Sequence, residues 1–293
     1  MKKFYIILVI SLTYLGLTAQ EFNRTEFSIN IGGGLANFQT QPTNGNNAQR
    51  WTSSLGIGYH LFFNPNWGIG TGANFAIYNG GFSYKDYNTQ QATTNTFTGH
   101  NFNFLVNVPN YRESHQAMMA TIPLMLQFQS SGEKIFYAAV GGKAGFPFLA
   151  KTAAKGRITS KGEYPDINVT YEDFPEYGFV TNQRFPKDKT DIEMKTIFMA
   201  SAEIGIKWVL VKKMCVYTGL YVDYGLNDVL NQSTAPANPN LVVFQPQTPS
   251  TFAYNTALNS YGTQMKPFAI GVTVRLAGAK VAWDKNFFKF RNE

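Results

Sequence analysis

Apolar side chains alternate with small or polar ones along eight segments of this chain, and no other feature constrains the fold as strongly. In the second segment, Leu55, Ile57 and Tyr59 share one parity, and Gly56 and Gly58 take the other. Because successive side chains of a strand point to opposite faces, each segment predicts a strand with one apolar face. The segments lie near residues 27–35, 54–63, 67–78, 121–128, 136–143, 201–208, 215–224 and 268–276.

The length of these segments and the content of their second face favour a membrane barrel over a soluble sandwich. Sandwich strands also have one apolar face, but ordinary strands have about 5–6 residues, whereas a tilted membrane strand needs about 9–11. The second face is rich in glycine and also carries charges, as a narrow lumen requires if the charges pair. The polar residues that we place in the lumen are His60, Lys143, Glu203, Lys207, Asp223 and Arg275.

Short and long connections alternate between the segments. The short ones are 64–66, 130–134 and 211–213, and the long ones are about 37–50, 85–116, 151–193 and 227–264. Short periplasmic turns and long extracellular loops are typical of outer-membrane barrels, and lipid offers no water to an open sheet edge. The sequence therefore predicts an all-β fold: an eight-stranded antiparallel transmembrane β-barrel with both termini in the periplasm.

A ten-stranded barrel is the structural alternative. Phe102, Phe104, Val106 and Val108 alternate with polar residues inside the second long connection. We expect this stretch to extend a hairpin above the membrane instead of adding strands to the ring.

The N-terminus has the features of a secretory signal peptide. Lys2 and Lys3 precede an apolar run of 14 residues, 4–17, which is too short for a spanning helix of about 20 residues. We expect cleavage before Gln20, and no later stretch approaches 20 apolar residues. The predicted organisation is a signal peptide at 1–19, a barrel at 20–276 and a periplasmic tail at 277–293.

Composition excludes several classes of protein. The chain is 44% hydrophobic and 15% aromatic but only 15% charged, and its mean hydropathy of −0.19 is too low for a bundle of membrane helices. Cys215 is the single cysteine, which excludes a disulfide scaffold and a cysteine metal cluster. The long connection 151–193 carries seven basic and eight acidic residues, which is a mixed surface and not a nucleic-acid groove.

The sequence offers no convincing catalytic or metal site. The histidines are His60, His100 and His115, and none has a second histidine or a cysteine at metal-ligand spacing. Ser114 and His115 are adjacent, but neighbours on a strand point in opposite directions. We therefore expect no catalytic residues, no metal and no cofactor.

Three stretches resemble the small outer-membrane β-barrel family common in Bacteroidetes, which is related in shape to the OmpA-like and PorT-like barrels. They are IPLML at 122–126, GGKAGF at 141–146 and YVDYGLND at 221–228. The resemblance covers about residues 25–276, and it implies an outer-membrane location in a Gram-negative bacterium. It brings no shared catalytic residues.

We expect a barrel filled by side chains, because eight strands enclose little more room than that. Glu203 is predicted to pair with Lys143, with Asp223 close enough to share the network. The favoured function is a non-enzymatic structural, surface-interaction or accessory role in the cell envelope. The alternatives are a small channel or membrane subunit of a transport or secretion complex, and a lipid-modifying barrel enzyme. The expected partners are outer-membrane lipid, lipopolysaccharide and an envelope protein, and not nucleic acid.

Overall fold

A computed structural model describes residues 24–40, 45–95, 98–185, 189–211, 213–230, 240–245, 251–255 and 264–281. The strands, in chain order, are β1 (Arg24–Thr40), β2 (Asn46–Phe62), β3 (Trp67–Thr94), β4 (Asn101–Gln129), β5 (Ile135–Lys155), β6 (Arg157–Tyr164), β7 (Val169–Glu172), β8 (Gln183–Arg184), β9 (Thr190–Asp191), β10 (Ile197–Val211), β11 (Met214–Gly225), β12 (Val242–Gln245), β13 (Thr251–Tyr254) and β14 (Met265–Val281). Two short 3-10 helices, Pro165–Ile167 and Pro175–Tyr177, follow β6 and β7.

Eight of these strands form a closed antiparallel ring. Its order is β1-β2-β3-β4-β5-β10-β11-β14, and β14 returns to β1. The closing pair runs from Arg24 opposite Val281 to Thr40 opposite Met265, over all 17 residues of β1. The predicted all-β fold with an eight-stranded antiparallel barrel is confirmed.

The strands are longer than the alternating segments. β3 has 28 residues and β4 has 29, and they pair with each other up to Thr94 opposite Asn101. The stretch 102–108 therefore extends a hairpin and adds no strand to the ring. The expected loops at 37–50 and 85–116 are largely strand, because backbone pairing continues past the lipid edge where outward residues become polar. The other two long connections hold β6–β9 and β12–β13.

An apolar band covers the outside of the barrel. The following outward residues on seven of its strands are each more than half exposed: Ile29, Ile57, Leu124, Val140, Ile204, Leu220 and Val272. Aromatic rings border the band, with Trp67 and Phe128 5.1 Å apart at the turn end and Phe75 and Phe148 5.7 Å apart at the loop end. Trp67 and Phe75 are eight residues apart on one tilted strand, a height of about 20 Å, which suits the apolar band of an outer-membrane barrel.

The long connections fold into a second β-structure above the barrel. We call it the cap, and it consists of residues 82–95, 98–111, 154–185, 240–245 and 251–255. Its buried apolar core is made of Phe82, Tyr87, Phe102, Phe104, Val106, Val108, Tyr111, Ile158, Tyr164, Phe179, Val180, Phe185, Leu241, Val242 and Phe244. Burial raises the pKa of the Tyr254 hydroxyl to about 12, and the Tyr254 ring packs against Phe185 with 4.7 Å between the ring centroids.

In the long hairpin of β3 and β4, the parity of the buried residues changes at one position. On β4 the buried residues are even-numbered from Phe102 to Val108 and odd-numbered from Tyr111 to Gln129. The change occurs at Pro109, which has no N–H for the ladder, and opposite it Asp86 has a positive φ of 53°. This local twist lets one long hairpin line the barrel below and the cap core above.

The ends of the chain differ in how far the structure describes them. The predicted signal peptide, 1–19, lies outside the described residues. At the other end β14 continues five residues beyond the expected barrel limit of 276, and these pair with β1. The rest of the expected tail, 282–293, also lies outside the described range. None of the described helices is long and apolar enough to cross a membrane.

Candidate functional site

Polar side chains fill the lumen in layers, and the layer nearest the periplasm is centred on Glu26. This carboxylate is 1% exposed, and the ammonium of Lys207 and the guanidinium of Arg24 each lie 2.9 Å from its Oε1. The Tyr217 hydroxyl donates to Oε2 at 2.6 Å. Gln129 accepts further hydrogen bonds from both cations. Two positive charges and one negative charge are thus held together inside the barrel.

Arg275 forms the second layer. Its guanidinium donates to His60 Nε2 at 2.5 Å and to Gln127 Oε1 at 2.8 Å. The same group lies over the ring of Tyr217, 4.0 Å from the centroid, and 5.4 Å from that of Tyr137. The two tyrosine rings meet edge to face at 5.1 Å. The second layer is therefore a cation enclosed by aromatic rings and neutral acceptors.

Asp223 forms the third layer. Lys143 Nζ lies 2.8 Å from Asp223 Oδ1. Ser201 donates to the same carboxylate at 2.6 Å, and the Tyr78 hydroxyl donates at 3.0 Å. Asp223 is 1% exposed, and its charge is met by one ammonium and two hydroxyls.

The expected pair of Glu203 with Lys143 is corrected by these contacts. Among the described residues, Glu203 forms no ion pair, and its Oε1 accepts from the Tyr137 hydroxyl at 2.5 Å. The strand register explains this. Glu203 lies opposite Ala139, which is four residues below Lys143 on β5. Asp223 lies opposite Ser201, and Ser201 lies opposite Gly141, which is only two residues below Lys143. Counting heights from the turns missed this difference, because neighbouring strands of a barrel are staggered.

An apolar belt closes the lumen above the third layer. It consists of Ala36, Phe38, Ala76, Tyr78, Ala117, Met119, Ala150, Ile197, Met199, Val229, Leu230, Met265 and Ala269. Between the lower layers lies a cavity of about 90 Å³, bordered by His60, Lys143 and Glu203 among others. Such a volume holds a few water molecules, and the belt lies above it.

A further polar group lies above the belt, and the sequence did not lead us to place it in the lumen. Glu113 accepts from the hydroxyls of Tyr111 and Thr152 at 2.6 and 2.7 Å. His115 Nδ1 is 3.3 Å from Thr152 Oγ1 and 3.5 Å from Glu113 Oε1. Tyr111, Glu113 and His115 share the inward parity of β4, which is the signal that could have found them. All four side chains are buried, and His115 and Thr152 also line the floor of a hollow of about 180 Å³.

All six residues expected in the lumen line or border these layers. His60, Lys207, Asp223 and Arg275 are buried, and Lys143 and Glu203 are half-buried. Among the described residues, no group of three or more histidine, cysteine or acidic side chains could hold a metal ion. Glu26 was missed because it lies one step below the first alternating segment, although Ser28 and Asn30 share its parity.

Comparison with known proteins gives a family match. A family model described as outer membrane protein beta-barrel domain matches residues 18–231. No curated protein matches the chain.

Three solved structures give remote similarities. Neisserial surface protein A is 7% identical, with 87% of this chain and 95% of that chain covered and a TM-score of 0.30. The attachment invasion locus protein of Yersinia pestis is 10% identical, with coverages of 87% and 97% and a TM-score of 0.26. The outer membrane protease OmpT of Escherichia coli is 9% identical, with coverages of 89% and 97% and a TM-score of 0.28. Such similarities transfer no residue role to this chain.

Proposed function

The chain belongs to the outer membrane protein β-barrel domain family and lies in the outer membrane of a Gram-negative bacterium, and from this premise we propose that it is a non-conducting, non-enzymatic barrel that holds the cap at the cell surface. The single observation that carries this proposal is the filled lumen. Three polar layers and the apolar belt occupy the space that a channel would need. The barrel then serves as an anchor, and the interacting surface is outside the membrane.

The cap supports a surface role because it has its own apolar core. Phe104 is fully buried and its ring lies 5.1 Å from Phe244 and 6.5 Å from both Phe179 and Phe252. These rings come from three separate parts of the chain, so the connections form one folded unit above the lipid. A folded unit presents a fixed surface to a ligand or an envelope protein. We include such a protein partner in the proposal.

Our proposal also keeps the resemblance to the OmpA-like and PorT-like barrels of Bacteroidetes, supported by the stretches 122–126, 141–146 and 221–228. Co-purification from the native outer membrane tests the accessory role. An accessory barrel is expected to bring its envelope partner with it under mild detergent. Recovery of the barrel alone at several detergent concentrations would contradict the accessory role. The role in surface binding would not be affected by that result.

Conductance of the pure folded protein in planar bilayers tests the filled lumen. The wild type is expected to give no steady current. The matched variant is Tyr217→Ala with Arg275→Ala, which removes two large side chains from the second layer and is expected to raise the frequency of brief openings. Steady single-channel currents from the wild type would overturn the proposal in favour of the channel alternative.

Lipid analysis tests the enzyme alternative separately. A strain that lacks this chain is expected to have an unchanged lipid A profile, since Glu113, His115 and Thr152 are each no more than 2% exposed. A changed acyl or phosphate pattern, restored by the wild-type chain, would favour the lipid-modifying enzyme.

A further inference from the structure

A cleft opens in the wall where the barrel meets the cap. β5 pairs with β4 at residues 112–129, and β6 pairs with the same edge at 103–107. Within the described chain, residues 108–111 of that edge pair with neither strand, and a cleft of about 750 Å³ lies beside them. Gly156 links the two strands here, and a Cβ at this position would lie 3.1 Å from the Asn110 carbonyl oxygen.

The cleft is lined by four basic side chains: Arg112, Lys155, Arg157 and Arg184. All four are exposed, and no acidic residue of the described chain lines the cleft. Its size is that of a small-ligand site, which is usually about 300–1,000 Å³.

The strand register places these like charges directly opposite each other. Arg112 faces Lys155 across β4 and β5, and Arg157 faces Arg184 across β6 and β8. Opposed like charges destabilise a pair of strands. Departures of this kind from local stability rules are expected at functional sites.

The four charges have no counter-charge in the part of the chain that the structure describes, since none of its ion pairs includes them. The lumen differs, because the ammoniums of Lys143 and Lys207 each contact a carboxylate. An anion bound from outside would supply the counter-charge that these four side chains lack within the described residues. Guanidinium groups suit this role because they bind phosphate and carboxylate with two parallel hydrogen bonds.

The height of the cleft indicates where the anion comes from. Lys155 lies seven residues beyond Phe148 of the outer aromatic border on β5, which corresponds to about 18 Å above that border for a strand tilted by about 40°. The head-group region adds only about 5–8 Å on each side of the hydrocarbon core, so a lipid ligand would reach the cleft through sugars attached to its head group.

Basic residues also continue from the cleft towards the lipid. Lys151 is four residues below Lys155 on the same outward face, after the bulge at Phe148. Lys151 and Lys189 line a smaller hollow of about 180 Å³. Of these two lysines, Lys151 alone forms an ion pair within the described residues, with the exposed Asp191 at 3.7 Å. A track that leads down to the membrane favours a lipid-linked ligand over a free one.

We propose that this basic cleft binds the phosphate or carboxylate groups of the anionic sugar core of lipopolysaccharide in the surrounding leaflet. Thr159, Asn110 and Asn182 also line the cleft and offer hydrogen bonds to sugar hydroxyls. This inference rests on the outer-membrane location and not on the absence of conductance. The lipopolysaccharide site and the proposed non-conducting function can therefore fail independently.

Binding of purified lipopolysaccharide to the folded full chain in detergent, followed by native mass spectrometry, tests this. The probes are lipopolysaccharide with its complete phosphorylated core and the lipid A portion alone. The wild type is expected to prefer the core-bearing form, and Lys155→Gln with Arg157→Gln is expected to weaken that binding by about tenfold or more, because each basic residue near an anionic surface contributes to affinity. The preference is also expected to decrease at high salt.

The matched control is Lys134→Gln with Lys213→Gln, which removes the same charge from the periplasmic turns and is expected to leave the preference unchanged. If the cleft double variant does not fold, Arg184→Gln changes one exposed side chain of a two-residue strand and gives the same comparison. Equal binding of lipid A alone, an equal loss in the control, or no loss in the cleft variants would overturn the proposal. Dextran sulfate binding as tightly as lipopolysaccharide would overturn its assignment to a membrane lipid.

Discussion

Lys207 on β10 and Glu26 on β1 form an ion pair across the lumen, with Nζ 2.9 Å from Oε1, although β11 and β14 lie between their strands in the ring. Neither side chain is more than 5% exposed. The pair therefore connects distant parts of the wall through the interior. Buried charges of this kind cost free energy when they lose a partner, which makes the layer testable by substitution.

Glu26→Gln is expected to lower the free energy of unfolding by about 3–5 kcal/mol, because it leaves the buried Lys207 and the partly buried Arg24 without their carboxylate. Lys207→Met is expected to cost less, since Glu26 keeps Arg24 and the Tyr217 hydroxyl. Urea unfolding in lipid vesicles, followed by tryptophan fluorescence, measures the free energy of unfolding of each variant. An equal cost for the two variants would contradict the contacts assigned to Glu26.

Lys143 and Asp223 are expected to show a coupling free energy of about 1–3 kcal/mol in a double-mutant cycle with Lys143→Met and Asp223→Asn. The matched cycle replaces Asp223→Asn by Glu203→Gln and is expected to be additive within about 0.5 kcal/mol, because Glu203 bonds to Tyr137. The same unfolding assay applies. Strong coupling in the second cycle would restore the pair that the sequence suggested.

Gly34→Ala is expected to reduce the fraction of folded barrel. A Cβ at Gly34 would overlap the backbone of Ile270 and Gly271 on the facing strand, and such overpacking costs about 1–3 kcal/mol. Gly33→Ala is the control on the neighbouring residue, where the added carbon would meet only the Thr52 carbonyl oxygen at 3.7 Å. Heat-modifiable mobility on gels measures folding, and equal yields would refute a steric requirement at Gly34.

Phe104→Ala is expected to loosen the cap and leave the barrel intact. Removing a buried phenylalanine costs about 3–5 kcal/mol, and Phe104 is fully buried among rings. Phe174→Ala is the control, since that side chain is 44% exposed. Protease added to intact cells is expected to cut the first variant faster than the wild type, while heat-modifiability persists in both. Equal resistance would show that the cap does not depend on this core.

The barrel could be predicted from the sequence because each strand repeats one signal over many residues. Leu55, Ile57 and Tyr59 must face lipid together, and this requirement has a period of two that few other environments impose. The cap lacked such a signal, since its buried face changes parity at Pro109 and its strands pair with partners far along the chain. Only the alternation of 102–108 indicated it.

The lumenal contacts could be predicted only in part. Inward parity selects which side chains enter the lumen, but the partner of each depends on the stagger between strands. Lys143 therefore meets Asp223 and not Glu203. The basic cleft gave no local signal, because Arg112 and Arg184 are 72 positions apart in sequence and come together only through the register of β4, β5 and β6.

The pairing of β1 with β14 has a consequence for biogenesis. The wall is completed by the first and last strands of the ring, so a growing chain has two unsatisfied edges until its final strand has been made, and no shorter fragment can form a sealed cylinder. Arg24 and Val281 lie opposite each other at this junction. A circularly permuted chain, joined there by a short linker and opened between β1 and β2, would keep every neighbour in the ring while moving the seam to a different pair of strands.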